Sequence, residues 1–213
     1  GLESVIIPET GCFLSEDIPT ERFEEEYLHV MWVGKFDFRK QLPLALWTIA
    51  TVANPHVILD VYGSGSDEQM HHAKYLASEL GIEDMVVWHG NQSNDVVLEA
   101  MRKSQLFIFT SVSEDTSTVV LEAISNRLPV VCFDACGMAA VIDNKVGRKI
   151  SLSKPMQSVH DFAKVLKNLE RNRDLLKQMS ENCRQRQLEL SWEEKAKTMV
   201  EWYEKILRKY QDA

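Results

Sequence analysis

The stretch LFIFTSVSEDTSTVVLEA, residues Leu106–Ala123, decides the fold of this chain. Its first four residues are apolar, as in a buried strand of a parallel sheet, and a polar turn follows them. The run Thr118–Asn126 has a helical pattern, so the local order is strand, turn and helix. The start of such a helix exposes unpaired backbone N–H groups that attract phosphates. On this stretch alone, a capped helix with two solvated glutamates, Glu114 and Glu122, is an equally good interpretation.

Length, charge and cysteine content narrow the function classes. The 213 residues, 45% of them hydrophobic, can form the core of one large domain, and the net charge of -8 argues against nucleic acid as a partner. No apolar run approaches the ~18 residues of a membrane helix, so we expect neither a span nor a secretory leader. The four cysteines lack zinc-type or redox spacing, and the histidines are scattered. We therefore expect reduced thiols, a cytoplasmic setting and no metal site.

Short apolar runs alternate with longer amphipathic runs along the first 150 residues. The predicted strands are Ser4–Ile7, Leu28–Val33, Val57–Tyr62, Met85–His89, Leu106–Thr110, Val130–Phe133 and, weakly, Arg148–Ile150. The predicted helices are Leu42–Ala53, Asp67–Leu80, Asp95–Arg102 and Thr118–Asn126. Ser66 and Gln69 have capping-box spacing at the start of the second helix. The alternation predicts an α/β fold with a doubly wound, Rossmann-like parallel sheet flanked by helices.

The character of the sequence changes after about residue 152. The last 60 or so residues are charged and helical in pattern, without a strand signal. A helix start is predicted at Ser191–Glu194, and apolar residues then recur on one side of the helix up to Ile206. We predict a single domain, 1–213, with a core of about 1–152 and a C-terminal helical tail, about 153–213, that packs back on the sheet.

Two glycine-containing turns follow predicted strands. Gly34-Lys35 begins a turn that ends in Arg39-Lys40, which brings two or three cations to the strand end where open α/β sheets bind ligands. Lysine and arginine can neutralise a diphosphate without Mg²⁺. A solvated surface turn is the alternative, and for the turn alone the more common one. The second turn, Gly63–Gly65, lacks the third glycine of a dinucleotide fingerprint and predicts a tight turn with a close backbone approach.

In combination, these segments resemble the C-terminal, donor-binding half of the family 4 (group 1) glycosyltransferases of the GT-B fold. The resemblance covers nearly the whole chain, through VIIPETG (5–11), VGKFDFRK (33–40), LDVYGSG (59–65), SEDTSTVVLEA (113–123), LPVVCFD (128–134) and SWEEKAKTMVEWYEKIL (191–207). It implies that the chain is one half of a GT-B fold, without the N-terminal acceptor domain. It also implies that one of the last helices crosses back to that missing half.

The resemblance implies a metal-independent, retaining enzyme of cell-surface polysaccharide biosynthesis. The enzyme would transfer a hexose from a UDP- or GDP-sugar to a glycan or lipid-linked acceptor, without a cofactor. Carried over residue by residue, the catalytic positions are Glu114, Lys35 and Lys40, and the remaining substrate-binding positions are Gly34, Thr118, Val119 and Glu122. The lysines and the N–H groups of Thr118 and Val119 would hold the diphosphate, Glu114 would face the sugar and Glu122 the ribose diol. The nucleobase contacts, expected near His89–Gln92, stay unassigned.

Some departures from the family pattern leave alternatives open. Asp115–Thr118 replace the glycine and aromatic residue common between the two glutamates, which leaves the identity of the sugar open. A binding module that holds a nucleotide sugar without transferring it would carry the same residues. A nicotinamide dehydrogenase would need three glycines at the first strand turn, which reads PETG. We expect nucleotide binding without turnover from the isolated domain, and peripheral membrane association, at the inner face of a membrane, through the missing half.

Overall fold

The computed structural model describes residues 10–14, 18, 21–115 and 117–211, and a six-stranded parallel sheet forms their centre. The strands are β1 (Leu28–Val33), β2 (Val57–Tyr62), β3 (Val86–Gly90), β4 (Leu106–Phe109), β5 (Val130–Phe133) and β6 (Gly147–Ile150). The helices are α1 (Leu42–Val52), α2 (Asp67–Glu79), α3 (Asn94–Lys103), α4 (Thr118–Ser125), α5 (Met138–Val141), α6 (Pro155–Arg171), α7 (Arg173–Glu189) and α8 (Trp192–Gln211).

The strand order β3-β2-β1-β4-β5-β6 confirms the predicted doubly wound fold. Every neighbouring pair is parallel, and β4 and β5 are buried along their whole length, as their uninterrupted apolar sequences require. The order reverses between β1 and β4, where Val30 pairs with Leu106. Open α/β sheets bind ligands at the carboxyl ends of the two strands that flank such a reversal.

Most segments that the sequence predicts to be helical form helices in the structure. The capping box before α2 is complete, because Ser66 Oγ accepts from Gln69 N at 3.3 Å and Gln69 Oε1 accepts from Ser66 N at 2.8 Å. The third strand begins one residue later than predicted, since Met85 belongs to a short 3₁₀ turn. The short helix α5 was not predicted from the sequence. The predicted strand Ser4–Ile7 lies outside the described residues.

The helical tail is packed only in part as predicted. Helix α6 packs against α1 and α7 against α4, so both cover the sheet. Helix α8 makes few contacts with other elements, and Val200, Tyr203 and Leu207 are each more than half exposed. The amphipathic pattern of α8 therefore has no covering partner among the described residues. Within the described ranges, no helix combines the length and apolar character needed to cross a bilayer.

The chain enters the core beside the point where α8 leaves it. Cys12 N donates to Leu190 O at 2.8 Å, and Cys12 forms an isolated parallel bridge with Ser191. A Cβ atom on Gly11 would lie 3.0 Å from Trp192 N, so the two segments are in close contact. Of the stretch that resembles the family's hinge, residues 5–9 lie outside the described part of the chain.

Candidate functional site

The candidate site lies where β1 and β4 end side by side. The turn after β1 and the loop after β4 are joined by hydrogen bonds from Val112 N to Arg39 O (2.9 Å) and from Thr110 Oγ1 to Lys40 O (2.7 Å). Ser111 Oγ lies 3.1 Å from Arg39 O. These bonds fix the cationic turn against the loop that carries the first glutamate.

Lys40 and Glu114 are in direct contact at the centre of this site. Lys40 Nζ lies 2.5 Å from Glu114 Oε1, and the two side chains are only 18% and 13% exposed. Ser111 Oγ donates to the same carboxylate oxygen at 2.6 Å. The ammonium group also lies 5.2 Å from the centre of the Phe109 ring. Because both charges are largely removed from water, this contact holds the two functional groups in a fixed geometry.

The turn that carries Lys40 is stabilised by an aspartate that sequence reasoning missed. Asp37 Oδ1 accepts hydrogen bonds from Arg39 N (2.9 Å) and Lys40 N (3.0 Å). Burial alone would raise the pKa of Asp37, but the N–H groups of Lys40 and Arg39 hold it below its usual value. An aspartate that precedes two turn residues is a common turn signal, so the sequence contained this feature.

The backbones of the two glycine-containing turns pack closely against each other. Gly63 has φ +131°, and a Cβ atom there would lie 1.8 Å from Gly34 O. Gly34 N donates in turn to Tyr62 O at 3.0 Å. The close backbone approach expected of the Gly63–Gly65 turn is therefore confirmed, and its partner is the first glycine of the cationic turn.

Helix α4 presents the remaining predicted residues. Thr118 and Val119 occupy its first turn, and their N–H groups have no acceptor among the described hydrogen bonds, as expected at a helix N-terminus. Glu122 lies one turn further and is half-buried. Its carboxylate makes none of the hydrogen bonds or ion pairs found in the described part of the chain, and burial raises the pKa of Glu122. A desolvated carboxylate without a partner is a ready acceptor for ligand hydroxyl groups.

The structure thus brings Lys40 and Glu114 together beside the turn that begins at Gly34. Helix α4 directly follows the loop that carries Glu114. Lys35 is exposed and takes part in no ion pair or side-chain hydrogen bond among the described residues, so its convergence with Lys40 stays a prediction. Sequence reasoning missed Thr110 and Ser111. Their hydroxyl groups directly follow a buried strand at the ligand-binding edge of the sheet, and that position was the available signal.

A second polar cluster lies on β2 and its neighbours. The Asp60 carboxylate is within 2.7 Å of both His29 Nδ1 and His89 Nε2, and the His89 ring stacks on Tyr62 at 4.1 Å. The hydrogen bond to Asp60 raises the pKa of His29. This cluster positions His89, at the end of β3, where nucleobase contacts are expected from the resemblance.

The described residues contain no group of three His, Cys, Asp or Glu side chains arranged to hold a metal ion, and the cysteines are unpaired. Independence from metal ions stays a prediction, since it concerns the reaction with donor bound.

Solved structures share this fold. The pneumococcal O-GlcNAc transferase GtfA, determined in complex with UDP and GlcNAc, has a TM-score of 0.75 and 18% identity over 95% of this chain and 40% of its own. WaaG, a glycosyltransferase involved in lipopolysaccharide biosynthesis, has a TM-score of 0.69 and 25% identity over 85% of this chain and 51% of its own.

Sequence comparisons identify the family. A curated relative, an uncharacterised glycosyltransferase of Haemophilus influenzae, is 29% identical over 142 residues, which are 66% of this chain and 38% of the relative. The chain therefore spans about two fifths of the length of that relative. The family described as glycosyl transferases group 1 matches residues 15–186, most of the sequence. With the fold and the two-glutamate motif in agreement, the chain belongs to the group 1 family of glycosyltransferases.

Proposed function

We propose that this chain is the donor-binding half of a retaining glycosyltransferase that moves a hexose from a UDP- or GDP-sugar to a glycan or lipid-linked acceptor. The observation that carries the proposal is the partly buried contact between Lys40 and Glu114 beside the N-terminus of α4. The UDP complex of GtfA supports a nucleotide donor. The acceptor would be held by a further domain, as the greater length of the relatives suggests.

The diphosphate would lie between the cationic turn and α4. Lys40 supplies a fixed positive charge, and the N–H groups of Thr118 and Val119, which have no acceptor among the described hydrogen bonds, supply aligned dipoles. As the nucleoside diphosphate leaves, these groups would stabilise the negative charge that develops on it, which is the role a metal ion has in other transferases. Lys35, exposed at the end of β1, would add a second cation once the donor is bound.

The two carboxylates would have different roles. Glu122, half-buried and without a partner in the described part of the chain, would accept hydrogen bonds from the two hydroxyl groups of the ribose. Glu114 is already bound by Lys40 and Ser111, so its orientation is fixed before the donor arrives. It would face the sugar, where positive charge develops as the bond to the diphosphate breaks.

Calorimetric titration of this chain with UDP and GDP tests the donor site. Lys40→Ala should weaken nucleoside diphosphate binding by ~1.5–3 kcal/mol, the range for hydrogen bonds to charged groups. That loss corresponds to a roughly 10- to 150-fold higher Kd. Lys74→Ala, at an exposed lysine of α2, is the matched control and should bind normally. Equal affinity of the Lys40 variant and the control would refute the assignment of the diphosphate site.

A further inference from the structure

A line of basic side chains runs along the solvent side of α6. His160, Lys164, Lys167 and Arg171 recur at helical spacing, so they share one face over about 16 Å of helix. They line a groove of about 750 Å³ beside the edge strand β6. We call this feature the basic groove, formed by His160, Lys164, Lys167, Arg171, Arg148 and Lys149.

Most of the positive charge in the basic groove is not neutralised. Lys164, Lys167 and Arg171 take part in none of the ion pairs or side-chain hydrogen bonds of the described residues, whereas Lys149 meets Asp134 at 3.0 Å. Among the described residues that line the groove, Asp161 is the one with an acidic side chain, and it accepts a hydrogen bond from Gln157 at 2.9 Å. In a chain of net charge -8, unpaired cations along one line provide a local surface for an anionic partner.

Two exposed apolar side chains lie near the start of α6. Met156 lies one helical turn before His160 and is 50% exposed, and Leu152, in the loop before the helix, is 52% exposed. Lys154 lies between these two residues and is also exposed. Exposed apolar residues next to cations are typical of surfaces that lie in a membrane interface. There the apolar side chains enter the boundary of the acyl chains, and the cations contact the lipid headgroups. A soluble anion would engage the cations alone.

We propose that the basic groove, together with Leu152 and Met156, is a docking surface for an anionic lipid bilayer. A straight line of charge about 16 Å long fits a flat array of headgroup phosphates better than a single compact ligand. Strand β6 ends at Ile150, so the apolar end of the surface lies at the carboxyl edge of the sheet, the edge that also carries Lys40. Docking would place this edge beside the bilayer. The proposal does not depend on the proposed transfer reaction.

Co-sedimentation of this chain with lipid vesicles tests the proposal. The chain should bind vesicles of equal parts phosphatidylglycerol and phosphatidylcholine at low salt, and should bind pure phosphatidylcholine far less. Lys164→Glu/Lys167→Glu should reduce partitioning to the anionic vesicles by at least about 25-fold, since each cation contributes about a factor of five. Lys74→Glu/Lys103→Glu, which makes the same charge change on α2 and α3, is the matched control and should bind like the wild type.

Leu152→Ser/Met156→Ser separates apolar insertion from simple charge attraction. This variant should lose the binding that persists at high salt, where headgroup attraction is screened. Circular dichroism and thermal unfolding show whether each variant is folded. Three results would overturn the proposal: equal binding to both vesicle types, equal loss in the groove variant and its charge-matched control, or binding to soluble polyphosphate without binding to vesicles.

Discussion

The contact between Lys40 and Glu114 makes a quantitative prediction about stability. Exposed ion pairs contribute ~0–1 kcal/mol, whereas charge-assisted hydrogen bonds that are shielded from water contribute ~1.5–3 kcal/mol. With a 2.5 Å separation and side chains 18% and 13% exposed, this pair belongs to the second class. Lys40→Met leaves the Glu114 carboxylate with Ser111 as its remaining described partner. We expect Lys40→Met, and likewise Glu114→Gln, to lower the free energy of unfolding by ~2–3 kcal/mol.

A double-mutant cycle in urea measures the coupling between the two residues. Lys40→Met, Glu114→Gln and the double variant should give a coupling of ~1.5–3 kcal/mol, so the double variant is much more stable than the sum of the single losses predicts. For a domain of this size, each single variant should unfold about 4–12 °C lower. The control cycle uses Lys103 and Glu99, a helical pair 74% and 51% exposed, which should show a coupling of ~0.3–0.5 kcal/mol.

The reasoning fails if the coupling between Lys40 and Glu114 is no larger than that of the control pair. That result would mean that the two side chains are held by their separate contacts, and that their closeness contributes nothing to the fixed geometry of the site.

Four further predictions concern the site and its surroundings. In the full-length protein, Glu114→Ala should lower kcat more than it raises KM, and Glu122→Ala should mainly raise the donor KM; the reverse pattern would exchange their roles. Glu122→Gln should raise the free energy of unfolding at pH 7, because burial disfavours the ionised form, and should weaken UDP binding by ~1.5–3 kcal/mol in calorimetry. UDP affinity should be unchanged in EDTA, and its loss there would contradict a metal-independent site. Asp60 raises the pKa of His29, so the contribution of His29 to stability is complete below about pH 6.5 and is lost as the pH rises through its higher pKa in the folded state. His29→Gln should flatten this decline in the free energy of unfolding, measured by urea titration, whereas the exposed control His160→Gln should not.

The fold could be predicted largely because its strands are short and apolar on both faces. In a sequence where short apolar runs alternate with amphipathic helical runs, a run such as Leu106–Phe109 has one consistent interpretation, a buried parallel strand. The parallel sheet follows from that interpretation. The position of α8 could not be predicted in the same way. Its amphipathic pattern shows that one face suits a partner, but the pattern does not show whether that partner is this sheet.

The candidate site was predicted at the level of segments and less well at the level of contacts. Lys40 and Glu114 are 74 positions apart, and their contact depends on β1 and β4 being neighbours, which follows only from the strand order. The grouping of Asp60 with His29 and His89 was missed for the same reason, since these residues come from three strands. Lys35 has no described contact that assigns it to the site, so its role rests on the resemblance.

The bridge between Cys12 and Ser191 has a mechanical consequence. It closes residues 12–191 into a loop whose two ends lie side by side, so α8 and the described residues 10–11 meet the core at one place, which can serve as a pivot. Rotation about one pivot requires changes in few backbone dihedrals, whereas two separated connections would have to deform together. Because the ends already meet, closing them adds little entropy cost. The core should therefore be transferable as a cassette, inserted through two short linkers into a surface loop of another protein.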